Sequence, residues 1–430
     1  MGMLIEQYIG KTGKKMFLLF SWLFTLLVTA AFADIVASTF NGFKADGGLA
    51  TPNAAAASIS MLYIVVAIAF GYFLKKCPLA EGPKLAVAIV LMIAMLWAGI
   101  EYPLYFDKTT WLYVVFAYMF MAAVMPMWLL MEPRDYLSVF LLLGMIASGV
   151  IGVIFTNPSI ELPAFKGFVV NGQPLFPILF ITIACGAVSG FHSLVSSGTS
   201  SKTVSNEKDM LFIESILAVV SLIVVGAAAT GGVMPKGTPF QIFAGAVGGF
   251  MGMFGLSAHV ATCVITMCVS ALALTTLDSV GRIGRMCFQE LFTSGKPEEM
   301  SGLQKVLTNK YFATVITLFF GYLLCLGGYM NVWPLFGAAN QLCAALVFIS
   351  LSVFLKVTGR QGWMLYVPMG FMFAATMSAL AMSIYGIVNK LVTGAPFGML
   401  TDGLQLVVAI ALIILALLIA TNGLKTLCGS

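Results

Sequence analysis

The stretch Leu175-Phe-Pro-Ile-Leu-Phe-Ile-Thr-Ile-Ala-Cys-Gly-Ala-Val-Ser-Gly-Phe-His-Ser-Leu-Val-Ser-Ser-Gly-Thr-Ser-Ser-Lys202 decides how this chain is read. It opens as an apolar half-helix over 175–184. From Cys185 onward, three glycines and seven hydroxyl residues surround a single histidine, His192. Glycine loosens a helix, and hydroxyls can take up the backbone groups that a break sets free. A span that is apolar at first and then broken by Gly and Ser is the pattern of a discontinuous helix beside a binding site. The same residues allow a plainer reading. Gly186-x-x-x-Gly190 also fits small-residue helix packing, and Ser or Thr can bond back to the preceding turn. His192 favours the functional reading, because an ionisable residue inside a span marks a site by default and His titrates near neutral pH.

The surroundings are those of a membrane protein. Of 430 residues 60% are apolar and 9% charged, and the mean hydropathy is +1.02. A soluble domain carries about 25% charged residues, so this chain cannot cover itself with polar groups. A soluble fold, a nucleic-acid binder, a disordered chain and a disulfide scaffold are excluded on that ground. Long apolar runs, rather than short alternating segments, exclude an outer-membrane barrel. The net charge of +5 lies in loops between apolar runs. The cysteines form no C-x-x-C pair and no cluster with His, so no metal or cofactor is expected.

A helix needs about 20 apolar residues to cross the hydrocarbon. That rule predicts spans near 16–39, 56–74, 84–100, 111–131, 136–155, 175–194, 210–230, 258–278, 311–330, 333–355, 363–387 and 403–421. The Gly-rich piece 239–255 is short, and the charge bias predicts a re-entrant hairpin there. With it re-entrant and both termini cytoplasmic, 17 of the 22 Lys and Arg face inside. The expectation is therefore one all-α polytopic transmembrane domain over 1–430, multi-pass and in contact with lipid. No nucleotide-binding loop is present to drive transport.

The substrate or ion site is expected at Gly186, Ser189, Gly190, His192, Ser193, Ser196, Ser197 and Thr199. Asn340 and Gln341, in Trp333-Pro-Leu-Phe-Gly-Ala-Ala-Asn-Gln341, either hydrogen-bond across helices or line the same path. Coupling or gating is assigned to Glu214, Arg134, Asp135, Asp278 and Arg282. The i,i+4 spacing of Asp278 and Arg282 suggests a local pair at an inner gate. Glu132 and Arg285 read as interfacial charges, and His259 as an outer-surface residue. Asp34 lies inside the first span with no obvious partner.

Four stretches resemble the carbon starvation protein A family of bacterial inner-membrane permeases, in order and spacing. They are Pro133-Arg-Asp-Tyr-Leu137, Ala184 to Thr199, Leu277-Asp-Ser-Val-Gly-Arg-Ile-Gly-Arg285 and Val332 to Gln341. The resemblance implies uptake of pyruvate or small peptides by proton symport. It also implies a relation to the amino acid–polyamine–organocation superfamily, with its LeuT-like five-plus-five inverted repeat. Family members carry further apolar segments upstream, including a Gly-rich, His-bearing motif. Met1-Gly-Met-Leu-Ile-Glu resembles the sequence just after them, so an N-terminal truncation is one expectation, and an inactive fragment that needs those helices is an alternative. A proton-coupled di- or tripeptide transporter is another. Sodium in place of the proton stays open, as does the oligomeric state. An intramembrane enzyme is disfavoured, since no H-E-x-x-H or G-x-S-x-G occurs.

Overall fold

The computed structural model describes residues 5–7, 10–44, 46–77, 80–156, 165, 167–170, 173–182, 188–198, 237–252, 254–293, 300–360 and 363–428. Among these, eight helices are long and apolar enough to cross a membrane. Two shorter apolar helices accompany them, Lys108–Val124 and Lys310–Cys325. The chain is a multi-pass, all-α membrane protein; among the described residues one two-stranded hairpin, Val169–Val170 with Gln173–Pro174, interrupts the helices.

In chain order the helices are α1 (Lys11–Phe40), α2 (Thr51–Lys76), α3 (Glu81–Glu101), α4 (Lys108–Val124) and α5 (Met127–Thr156). A segment over 175–182, helical except at the extended Phe176, precedes α6 (Gly190–Gly198). Then come α7 (Pro239–Gly252), α8 (Ala258–Phe292), α9 (Gly302–Leu307), α10 (Lys310–Cys325), α11 (Tyr329–Val357), α12 (Tyr366–Val392) and α13 (Leu404–Cys428). The expected span over 210–230 lies outside the described residues. The span expected over 111–131 is corrected: α4 stops at Val124 and α5 begins at Met127. Pro126 sets that boundary, because it disfavours helical backbone at Met125, which is extended (φ −68°, ψ 151°). The piece 239–255 differs from the expected hairpin: its described residues form one helix, α7, and then a turn at Phe254 and Gly255. At 1.5 Å per residue α7 is about 21 Å long, short of the roughly 30 Å hydrocarbon.

The chain divides into two compact units, Met1–Phe32 with Phe165–Met210 and Ser279–Ser430, and Ala33–Ala164 with Leu211–Asp278. In the first unit α11 is the central element. Eighteen of its residues are buried, so it reads as apolar all round rather than amphipathic. Phe336 stacks on Phe24 of α1, and Trp333 and Phe336 both meet Phe32. Small residues allow close helix approach: a Cβ at Gly284 would come within 2.8 Å of Thr25 Oγ1 and 2.9 Å of Thr317 Cγ2. This is van der Waals packing, the main source of helix association in lipid.

In the second unit, Ile59, Tyr63, Ala67 and Phe70 of α2 pack with Ala88 and Met95 of α3, Leu137 and Leu141 of α5, and Met267, Cys268 and Ala271 of α8. Gly71 lets α2 approach the Pro133 region of α5, where a Cβ would lie 2.9 Å from Leu129 O. Pro133 cannot donate to that carbonyl, so close approach is possible only without a side chain. Asp34 is buried and pairs with Lys108 Nζ at 2.8 Å, a partner that sequence alone did not offer.

One close backbone contact of the second unit is between α2 and α3. A Cβ on Gly99 would sit 2.8 Å from Ile59 N and 2.9 Å from Ile59 Cα. Backbone cannot rotate away, so Gly99→Ala must push the helices apart. The expected cost is about 1–3 kcal/mol, seen as a fall in the thermal midpoint of the detergent-solubilised protein, while the exposed Gly82→Ala leaves the midpoint unchanged.

Candidate functional site

The first cluster lies at the interrupted helix of the first unit. The segment 175–182 is helical except at the extended Phe176 (φ −104°, ψ 130°), Val188 and Ser189 are not helical, and α6 starts at Gly190. A restarting helix exposes N–H groups that have no partner within it. Asn340 of α11 supplies one: its Oδ1 accepts from Phe191 N at 2.8 Å and from Ser189 Oγ at 3.2 Å. Asn340 is fully buried, about three turns into α11. Asn340 thus makes a cross-helix hydrogen bond, one of the two roles that the sequence left open. Cys343 Sγ, one turn on, lies 3.7 Å from Gly190 O. Gly190 is required by this approach, since a Cβ there would meet Asn340 O at 2.2 Å and Ala344 N at 2.7 Å.

The other expected residues distribute around this clasp. Ser193 donates to Gly190 O at 2.6 Å, the backbond of the plainer reading. His192 is exposed, and its ring lies edge-to-face on Phe191, 5.7 Å between centroids. Ser196 is half-buried on the same helix. Gln341 is fully buried, and neither polar atom of its side chain finds a partner among the described residues. Gly186, Thr199, Glu214 and the side chain of Ser197 lie outside the described residues.

The second cluster is in the second unit. Arg134 and Asp278 are both fully buried and form an ion pair through Arg134 Nη1 and Asp278 Oδ2. Tyr118 of α4 joins them, accepting from Arg134 Nη1 at 2.9 Å and donating to Asp278 Oδ2 at 2.7 Å. Arg134 Nη2 reaches the half-exposed Asp135 at 3.2 Å. Tyr63 of α2 donates to Arg134 O at 2.6 Å and accepts from Ser138 Oγ at 2.5 Å. Three helices, α4, α5 and α8, thus meet at one guanidinium, and α2 reaches the backbone carbonyl of the same residue. The sequence singled out Arg134, Asp135 and Asp278, but it offered Arg282 as the partner of Asp278. The partner recorded here is Arg134, from another helix. Tyr63 and Tyr118 were missed, and a Tyr hydroxyl inside an apolar run was the available signal. Glu132 is exposed on α5, as expected of an interfacial charge. His259 is exposed at the start of α8, with Nε2 3.7 Å from Cys263 Sγ.

These elements coincide with the stretches that carried the resemblance, and the comparison of whole sequences agrees. The family model described as "Carbon starvation protein CstA" matches residues 1–233 and 225–379. The chain belongs to the CstA family. It is similar to the "Peptide transporter CstA" of Escherichia coli K12, 32% identical over 360 residues, covering 64% of this chain and 50% of the relative. It is likewise similar to the "Peptide transporter CstA" of Bacillus subtilis, 30% identical over 309 residues, covering 60% and 51%. A third relative is the "Pyruvate/proton symporter BtsT" of Escherichia coli K12, 29% identical over 425 residues, covering 75% and 58%. The chain thus spans about half the length of the curated relatives it matches.

The ion pair generates a stability test. Removing one member of a buried pair leaves the other charge uncompensated, at a cost of about 3–5 kcal/mol. Arg134→Leu and Asp278→Leu alone should each lower the thermal midpoint sharply. The double variant should recover most of the loss, and additive losses would contradict the pairing.

Proposed function

We propose that this chain works as a secondary active transporter of a small organic carboxylate such as pyruvate, driven by proton symport, in a bacterial inner membrane. The observation that carries the reading is the interrupted helix in the first unit, whose restart at Gly190 is held by Asn340. Irregular backbone at membrane depth is tolerated only where protein or a water-filled cavity covers it. Transporters place substrate and ion sites at such breaks. His192 follows the break by three residues with its ring exposed, and imidazole is the side chain suited to taking up a proton near neutral pH. A relative named for pyruvate and proton symport supports both substrate and ion.

In this mechanism the hydroxyls and freed carbonyls of 186–199 meet the substrate, and His192 takes up the proton with it. The inverted-repeat frame implied by the family would rock around that site. Arg134, Asp135, Asp278 and Arg282, with Glu214, would gate the inner side. Asp278 bound to Arg134 is the closed condition, and protonation of the carboxylate would release it.

The second reading is a di- or tripeptide substrate, favoured by the relatives named as peptide transporters. Both substrates carry a carboxylate, so the site chemistry is shared and cavity width separates them.

The test is uptake of labelled pyruvate and of labelled dialanine into proteoliposomes that hold this chain, under an inward proton gradient. Pyruvate should accumulate, and an uncoupler should abolish the accumulation. His192→Ala should remove the proton-driven component. Uptake and pH profile unchanged in that variant would exclude His192 from coupling. Accumulation of dialanine alone would select the peptide reading.

A further inference from the structure

A second polar site stands apart from the clasp, within the first unit. Helices α11, α12 and α13, with Pro174 and Ile178, line a half-open cavity of about 390 Å³, in the range of small-molecule sites. Pro334 and Met382 line its apolar side, and Asn331, Ser383, Lys390 and Gln405 bring polar groups to it. Gln405 is 1% exposed, and its Nε2 finds no hydrogen-bond partner among the described residues. A buried amide donor left unpaired is costly and calls for an acceptor.

Lys390 provides the charge. Its Nζ lies 3.1 Å from Asp402 Oδ1, and 42% of its side chain is exposed. Asp402 itself is buried, and Gly398 N donates to its Oδ2 at 3.0 Å. Asn331 Nδ2 donates to Asp402 Oδ1 at 3.4 Å. Asp402 therefore acts as a fixed post that orients the ammonium of Lys390 and the amide of Asn331. Asp402 is not among the residues that line the cavity, so the lining carries one ammonium, neutral amide and hydroxyl groups and no carboxylate. One ammonium beside the unpaired amide donor of Gln405 matches a carboxylate, because charge-assisted N–H···O bonds are the strong ones.

We propose that the carboxylate of a small organic acid binds in this cavity, with Gln405 Nε2 and Lys390 Nζ donating to its oxygens. Asp402 is a positioning residue that keeps Lys390 at the cavity. The ligand class rests on the transport reading, whereas the site rests on the geometry alone.

The test is equilibrium binding to the full chain in nanodiscs, with labelled pyruvate and labelled dialanine as probes. Methyl pyruvate, which lacks the charge, is the control. At least one probe should bind. Its Kd should rise tenfold or more in Gln405→Leu and in Lys390→Met, and stay within threefold in Lys390→Arg. Methyl pyruvate should not compete. Each variant is compared at a thermal midpoint matching the parent, which removes misfolding as an explanation. The proposal is overturned if neither probe binds, if methyl pyruvate competes equally, or if both variants bind as the parent does. Binding that follows this pattern in a protein without proton-driven uptake counts against the transport reading and not against the site. Proton-driven uptake with binding indifferent to Gln405 and Lys390 counts against the site alone.

Discussion

Inside lipid a backbone N–H has no water to turn to, and the break at Val188 and Ser189 creates such groups where α6 restarts. One carboxamide, that of Asn340, meets this constraint by accepting from both Phe191 N and Ser189 Oγ. A net hydrogen bond is worth about 0.5–1.5 kcal/mol, but leaving the buried donor unmade costs more. The surrounding sequence follows from that need. Gly190 must lack a side chain for the helices to meet, and Ala344 and Cys343 are small on the facing turn. Two of the stretches that mark the CstA family, 184–199 and 332–341, are thus the two halves of one contact.

The second unit shows the same economy with charge. Arg134 has no water, so Asp278, Tyr118 and Asp135 surround it, and Tyr63 takes its carbonyl. Buried polar networks are high-stakes: satisfied, they fix one arrangement of helices, and with one member lost they destabilise it. On the transport reading proposed above, such a network would serve as a gate, because moving between states requires contacts that are either fully made or fully broken. The two remaining stretches of the family pattern, at 133–137 and 277–285, carry the two sides of this pair.

Local patterning made much of the fold legible. Apolar runs longer than about 18 residues located α1, α2, α3, α11 and α12 to within about five residues at each end, whereas α8 runs on through its polar end to Phe292 and α13 runs on to Cys428. The Gly and Ser content of 185–202 located the break. Tertiary partners were not legible, because they depend on which helices face each other. Asp278 appeared to belong with Arg282 four residues on, whereas its recorded partner lies 144 positions upstream. Asp34 appeared unpartnered, although Lys108 sits at the start of α4. Asn340 was recognised as an amide at depth, but its role as a helix cap needed the facing helix. The boundary at Pro126 was readable in principle, since the residue before proline avoids helix; hydrophobicity masked it. Asp402, Lys390 and Gln405 drew no attention because each is ordinary alone, and only the fold gathers them at one cavity.

The claim at the centre of this account is that Asn340 holds the restarting helix. The most direct measurement is residue-resolved hydrogen–deuterium exchange at the Phe191 amide, in nanodiscs, for the parent chain and for Asn340→Leu. The account predicts that exchange at Phe191 accelerates about tenfold or more in the variant, the equivalent of roughly 1.4 kcal/mol, while amides in α12 keep their rates. Unchanged protection of the Phe191 amide in Asn340→Leu would contradict it.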